Sequence, residues 1–401
     1  MSEEPVHQSS DSIQGEGFVP QFRTLRELID QVTGRAHWQP TEEGDAGLAE
    51  FLPFPFLAMV GQREMKLALL ISLVNPSVGG VLLIGPRGTG KTTAVRSLVD
   101  LLPETPRSLC YYGCMPDDIE IGGIEAVCPD CARKYAMGEP LYKLDKVHLV
   151  ELPLNARLDD VVGGMDERLA AQDRLRMRKG ILAQADRNLL YVDEVNLLGD
   201  EVVDAILDAS AQGSYTVRRG PLSATFRSRF VLIGSMNPEE GRLRPQIMDR
   251  FGLRVVVHGL NKSSDRLEVY RRVQAYQAQP RSVAQQFANE TALVQNEIQL
   301  IRDTLPEVTL PDPVAGFGLE IINRLKLDSS RAEITLFEAA RALTALDGRK
   351  EVSEQDLFEV APMTLRMRRS TFMEEFFSSQ EKEENELNTL LQRLQKKTLD
   401  P

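Results

Sequence analysis

The stretch VLLIGPRGTGKTTAVRSLVDLL, residues 81–102, constrains this chain more than any other. VLLIG is a short apolar run without polar alternation, the composition of a strand covered on both faces of a parallel sheet. TTAVRSLVDLL carries its apolar residues at helical spacing. Between them lies GPRGTGKT, residues 85–92, which matches G-x-x-x-x-G-K-[ST]. Glycines in such a loop let the backbone curl so that successive N–H groups converge, and the following helix adds the positive end of its dipole. A loop of this build, in this strand-to-helix context, cradles phosphates: the chain through Gly85, Pro86, Arg87, Gly88, Thr89, Gly90 and Thr93 wraps them, Lys91 reaches the β- and γ-phosphates, and Thr92 offers its hydroxyl to Mg²⁺.

Four more apolar runs follow: VHLVEL (147–152), LLYVDE (189–194), RFVLIGSM (229–236) and RVVVHG (254–259). Helical patterns such as EVVDAILDASAQ (201–212) separate several of them. Strands alternating with helices predict a parallel α/β sheet of five strands with helices on both faces, over residues 51–260. Residues 1–50 read as a polar extension, with FRTLRELIDQV (22–32) able to form one amphipathic helix. Beyond 260 the character changes. Residues 261–310 are Gln/Glu-rich with helical spacing and read as a helical linker, broken by PDPVAGFG (311–318). Residues 311–378 predict a small all-helical domain of three short helices, with Gly348 as a stop signal and Ser353 with Asp356 as a start signal. Residues 379–401 form a charged tail.

LLYVDE delivers two adjacent acids, Asp193 and Glu194, to a strand end. Buried acids are costly unless a cation and water use them. Asp193 fits the metal side, and Glu194 fits the base that polarises an attacking water. The competing reading is an acidic cap for the next helix. Asn237 follows the strand RFVLIGSM; its amide would hold the water or the γ-phosphate if that strand lies beside the Asp193 strand, whereas Asn-Pro is also ordinary turn chemistry. Arg250, in LRPQIMDRFG, is the residue type that stabilises charge spreading over a transferring phosphoryl group, or else a surface arginine paired with Asp249.

The formal net charge of −12 disfavours nucleic acid and anionic membranes as partners. No apolar run approaches the roughly 20 residues of a bilayer span, and the acidic, polar start resembles no targeting segment, so a cytoplasmic protein is expected. All four cysteines, Cys110, Cys114, Cys128 and Cys131, fall in one segment with C-x3-C-x13-C-x2-C spacing. That is close to zinc-ribbon spacing, and four thiolates would make a closed structural Zn²⁺ site. A redox dithiol and four small hydrophobes are the other readings. The segment interrupts the α/β pattern as an insertion over about 104–146, and it is poor in core residues. The four histidines, at 7, 37, 148 and 258, do not cluster and read as surface or packing residues.

Taken together, FPFLAMVGQREMKLAL, IGPRGTGKTTAVRSLVDLLP, VELPLNARLDDVVGGMD, GILAQADRNLLYVDEVNLL, NPEEGRLRPQIMDRFG and SRAEITLFEAARALTALDGR resemble an AAA+ ATPase. They are most similar to the ATPase (I-type) subunit of magnesium chelatase, over roughly 53–369. The resemblance implies that Val60, Gly61 and Gln62 lie against the adenine of ATP. It implies that Asn237 senses the γ-phosphate, that Arg250 is an arginine finger acting on a neighbour's nucleotide, and that Arg331 is a second sensor. It further implies a homo-hexameric ring and two insertions, near 165–180 and a hairpin over about 214–229. In such a system ATP hydrolysis drives a partner with an integrin-like metal-binding domain and a large porphyrin-binding subunit to place Mg²⁺ in protoporphyrin IX. The alternative is a motor of the same clade that serves cobalt insertion or maturation of another metalloenzyme. This chain departs from the usual pattern at Pro86, Thr92, Gly164 and Met236, none of which removes a catalytic group, and in its four-cysteine segment.

Overall fold

A computed structural model describes residues 24–27, 29, 52–165, 177–220, 222–327 and 329–369. Most of the polar extension, the centre of the 165–180 insertion and the charged tail lie outside the described residues.

Nine strands are described: β1 (Val81–Ile84), β2 (Thr105–Ser108), β3 (Tyr142–Asp145), β4 (Leu149–Leu152), β5 (Leu189–Val192), β6 (Ser214–Arg219), β7 (Leu222–Arg227), β8 (Val231–Met236) and β9 (Leu253–Val256). Five of them form one parallel sheet in the order β4-β5-β8-β1-β9. β1 and β5 are buried at every position, as their unbroken apolar sequence requires. β4 is an edge strand, half-buried at Leu149 and Val150 with Glu151 exposed, and Arg96 holds that carboxylate at 2.7 Å. The charge blunts the edge.

Helices α1 (Arg63–Val74), α2 (Lys91–Leu98), α3 (Pro116–Gly122), α4 (Pro129–Ala136), α5 (Leu158–Val162), α6 (Ile181–Gln184), α7 (Asp200–Gln212) and α8 (Pro245–Arg250) lie between or beside these strands in sequence, α3 and α4 within the cysteine segment. One buried cluster joins α1, α2 and one sheet face to the C-terminal helices; a second packs α7 against the other face through Val202, Val203, Ile206 and Leu207. The sheet is therefore covered on both sides. Because β1 lies between β8 and β9 and next to β5's neighbour, the C-terminal strand ends bring residues 85–92, 193–194 and 237 to one rim, where open α/β sheets bind ligands.

After β9 come α9 (Ser263–Ala278), α10 (Pro280–Gln286) and α11 (Ala288–Thr304). The terminal helices are α12 (Asp312–Arg324), α13 (Ser330–Leu346) and α14 (Glu354–Leu365). PDPVAGFG differs from its expected role as a break: its prolines sit at the N-terminus of α12 and its glycines lie inside that helix. Gly318 is buried, and a Cβ there would come within 2.6 Å of the Phe337 ring on α13, so the glycine serves helix packing. Gly348 follows α13 at φ +66°, and Ser353 and Asp356 form a reciprocal cap on α14, as their spacing predicts. No described helix is long and apolar enough to cross a membrane.

Candidate functional site

The phosphate loop forms as its motif requires. Gly88 and Gly90 adopt φ of +77° and +85°, and Lys91 opens α2. Gly85 has a different reason to be glycine: a Cβ would lie 2.2 Å from the carbonyl oxygen of Val257, just past the adjacent strand β9. The Lys91 ammonium is buried and donates to the carbonyls of Gly85 and Pro86, at 2.7 and 2.8 Å. Burial lowers its pKa, opposed by the charges of Asp193, Glu240 and Glu194.

Asp193 is built into a chain of hydroxyls. The Thr92 hydroxyl lies 3.1 Å from the Tyr191 hydroxyl, which donates to Asp193 Oδ1 at 2.8 Å, and Ser235 Oγ donates to the same oxygen. Parallel register explains this, because Val192 pairs with Gly234 and so sets Asp193 beside Ser235. Ser235 also accepts the Glu194 N–H at 3.2 Å. Glu194 sits at φ +51°, a left-handed conformation costly for a residue with a Cβ and concentrated at functional sites. Its carboxylate meets Arg87 at 3.2 Å, and Arg87 also pairs with Glu240. Asn237 is buried, and its Oδ1 accepts the Glu239 N–H at 3.2 Å, so the turn reading holds as well as the position beside the acids.

Beside the loop opens a cavity of about 1200 Å³ whose walls include Val60, Gln62, Gly88, Thr89, Gly90, Thr93 and His258. Gln62, at φ +54°, donates its amide to the His258 carbonyl at 2.7 Å. Gly61 is not on that wall; it turns the chain at φ +64°, with Leu260 closing over it. His258, read from sequence as packing or surface, is part of the wall.

Arg250 and Arg331 face elsewhere. Both line a second cavity, of about 580 Å³, with Gly79, Gly80 and Asp208, and no residue of the 85–93 loop belongs to it. Arg250 pairs with Asp208 rather than with Asp249. Asp249 is held instead by Arg368 at 2.7 Å, Arg254 at 3.4 Å and Arg331 at 3.5 Å.

Comparison with known proteins agrees with this fold. A model of the AAA domain matches residues 77–240, and one of the AAA lid domain matches 320–390. A magnesium-chelatase subunit ChlI homolog of Methanocaldococcus jannaschii is 41% identical, aligned over 80% of this chain and 87% of its own. The chain belongs to the magnesium-chelatase ChlI family. The magnesium-chelatase 38 kDa subunit of Acidiphilium rubrum is 43% identical over 79% of this chain and 90% of its own. A crystal structure of a putative ATPase from Cytophaga hutchinsonii, 21% identical over 78% of this chain and 83% of its own, shares the fold with a TM-score of 0.51. A five-stranded parallel sheet followed by a helical lid is thus the AAA+ ATPase fold of this ChlI-family chain.

The ChlI-family chain also carries its cysteines as one cluster. The four sulfurs of Cys110, Cys114, Cys128 and Cys131 all lie within 4.8 Å of one another, with Cys114 and Cys131 buried. Backbone N–H groups of Tyr112 and Cys128 point at the sulfurs of Cys110 and Cys114, at 3.3 and 3.4 Å. The hydrogen bond with the Cys114 thiol draws Cys110 down to about 4, while burial pushes Cys131 up to about 12. The charge of one thiolate opposes ionisation of the rest, so only a bound cation would let all four ionise. Such a donor set fits a soft tetrahedral ion.

Sequence reasoning missed Tyr191, Ser235 and the Arg87–Glu240 pair. Tyr191 was open to discovery, because i and i+2 share a face of a strand and place it under Asp193. Ser235 was not, since its role rests on the β5–β8 register.

Proposed function

We propose that this chain is the ATP-hydrolysing subunit of a chelatase in which partner subunits insert Mg²⁺ into protoporphyrin IX. The convergence of Lys91, Thr92, Asp193 and Glu194 on one rim of the sheet, in a ChlI-family chain, carries the reading. In it, Lys91 exchanges its two carbonyl partners for β- and γ-phosphate oxygens. Thr92 and Asp193 hold the Mg²⁺ that accompanies ATP, which supplies charge neutralisation at the phosphates. Glu194 leaves Arg87 to orient and deprotonate the water, and Asn237 reads the γ-phosphate. The pocket of Val60 and Gln62 takes the adenine, with Gly61 shaping the turn between them.

Arg250 and Arg331 act across a subunit boundary in this reading. Their cavity is separate from the chain's own phosphate loop, which suits a finger and a second sensor turned to a neighbour's nucleotide in a hexameric ring. The partners are one subunit with an integrin-like metal-binding domain and a large porphyrin-binding subunit. The four thiols hold one structural Zn²⁺, because their number, type and clustering match such a site. A motor serving cobalt insertion, or maturation of another metalloenzyme, is the second reading, favoured by the cysteine segment that sets this chain apart from the usual pattern.

Reconstitution tests the choice. The protein, candidate chelatase partners, ATP, Mg²⁺ and protoporphyrin IX should together give the Mg-porphyrin absorption spectrum. ATP hydrolysis without that spectrum would favour the second reading.

A further inference from the structure

The segment CYYGC, residues 110–114, forms a tight turn, with Gly113 at φ +81° and its N–H on the Cys110 carbonyl at 3.3 Å. Each of the three residues between the two cysteines grips an insertion. The Tyr111 hydroxyl donates to the Met177 carbonyl at 2.8 Å and accepts the Lys179 N–H at 3.2 Å. The Tyr112 carbonyl accepts the Arg227 N–H at 3.1 Å. The Gly113 carbonyl accepts from the Arg229 guanidinium at 3.0 Å. Both tyrosine rings pack on Phe226 of β7, at 6.0 and 5.6 Å between centroids. Gly113 itself cannot be replaced freely, since a Cβ would come within 2.9 Å of Arg227 Cβ.

The turn therefore binds two segments far apart in sequence, the C-terminal limb of the 165–180 insertion and the hairpin β6–β7. Its apolar packing lies on the side of the two insertions, where Tyr111 joins Met177, Val217 and Phe226; on the cysteine side the buried residues are only Cys114, Cys131 and Leu141. A segment whose cysteine side has so small a core gains from a staple, and the four sulfurs supply the ligands for one.

We infer that the thiolate-bound ion is the latch for both insertions: Zn²⁺ on Cys110, Cys114, Cys128 and Cys131 fixes the CYYGC turn, and the turn fixes the hairpin and residues 177–179. This deepens the zinc reading proposed above and rests on it. Metal occupancy then controls the order of one face of the molecule, while the phosphate loop on β1 and α2 stays as it is.

The test is metal analysis and amide hydrogen exchange on the full chain, before and after Zn²⁺ removal by a strong chelator, with affinity for a fluorescent ATP analogue as the control. The latch predicts about one Zn²⁺ per chain. On removal, exchange at the Lys179 and Arg227 amides rises about tenfold or more, peptides from 81–98 are unchanged, and nucleotide affinity stays within about twofold. Zinc bound at that ratio with exchange unaltered on removal overturns the latch and leaves the metal site standing. No metal near one per chain overturns the metal site itself. Tyr111→Phe, which spares all four thiols, should keep its zinc and raise exchange at Lys179 while leaving Arg227 protected. Unchanged exchange at Lys179 in that variant contradicts the role given to Tyr111.

Discussion

Tyr191 shows what single residues add to a motif. Its hydroxyl stands between Thr92 and Asp193, the two groups assigned to Mg²⁺, and burial pushes its own pKa well above the ordinary value, so it remains a donor at all working pH values. Tyr191→Phe should leave the fold and ATP binding intact. It should raise the Mg²⁺ concentration needed for half-maximal hydrolysis several-fold, by about 1 kcal/mol, since one hydrogen bond to a charged group is lost. A titration of hydrolysis against Mg²⁺ checks this, and a fall in maximal rate at unchanged Mg²⁺ dependence would contradict it. At this scale the motif residues were legible in sequence because each has a local reason: glycines for the loop, Lys91 for phosphates, acids at a strand end. Ser235 and the Arg87–Glu240 pair have none. They matter only because β8 lies beside β5 and because the loop folds toward residue 240.

Elements were read well where one period dominated. β1 and β5 carry unbroken apolar runs, and α14 announces itself with Ser353 and Asp356. PDPVAGFG was misread because proline and glycine usually break helices, whereas here the prolines start α12 and Gly318 makes room for Phe337. The cap of α14 also does more than its motif says. The buried Asp356 accepts from Ser353, from Thr344 of α13 at 3.1 Å and from Arg349 at 2.9 Å, and against the cost of burial Arg349 and Ser353 hold its pKa below the usual carboxylate value. Asp356→Ala should therefore destabilise the lid by about 2 kcal/mol, with the half-exposed Arg349 moderating the loss. Denaturant unfolding followed at the lid should report it. The part of the loss that depends on charge should fade as acid protonates Asp356 in the wild type, at a pH below the usual carboxylate value because its folded pKa is lowered. Undiminished loss there would remove the charge from the explanation.

For the whole molecule, one buried acid makes stability depend on pH. Asp100, after α2, is raised to about 6 by burial, with Lys146 opposing. An acid whose folded pKa lies above its unfolded value favours the fold while protonated, so it stabilises below about pH 4 and that contribution disappears as pH rises through 6. Asp100→Asn should thus raise stability at pH 7 to 8, by about 1 kcal/mol once partial exposure is allowed for, and change it little at pH 4. Thermal melts at the two pH values check the sign.

The architecture also divides the residues proposed for catalysis. Lys91, Asp193 and Glu194 share one rim, while Arg250 pairs with Asp208 on another cavity, beside an Asp249 gripped by Arg368 and Arg331. The central claim is that one chain's acids work with the next chain's arginine. Mixing two inactive variants, Glu194→Gln and Arg250→Ala, tests it most directly. Each alone should bind ATP and hydrolyse almost none. In a ring assembled from equal amounts, about a quarter of the sites would join an intact Glu194 to a neighbour's intact Arg250. The account predicts recovery of hydrolysis toward that fraction of wild type; a mixture as inactive as its components, in rings shown to have exchanged subunits, would contradict it.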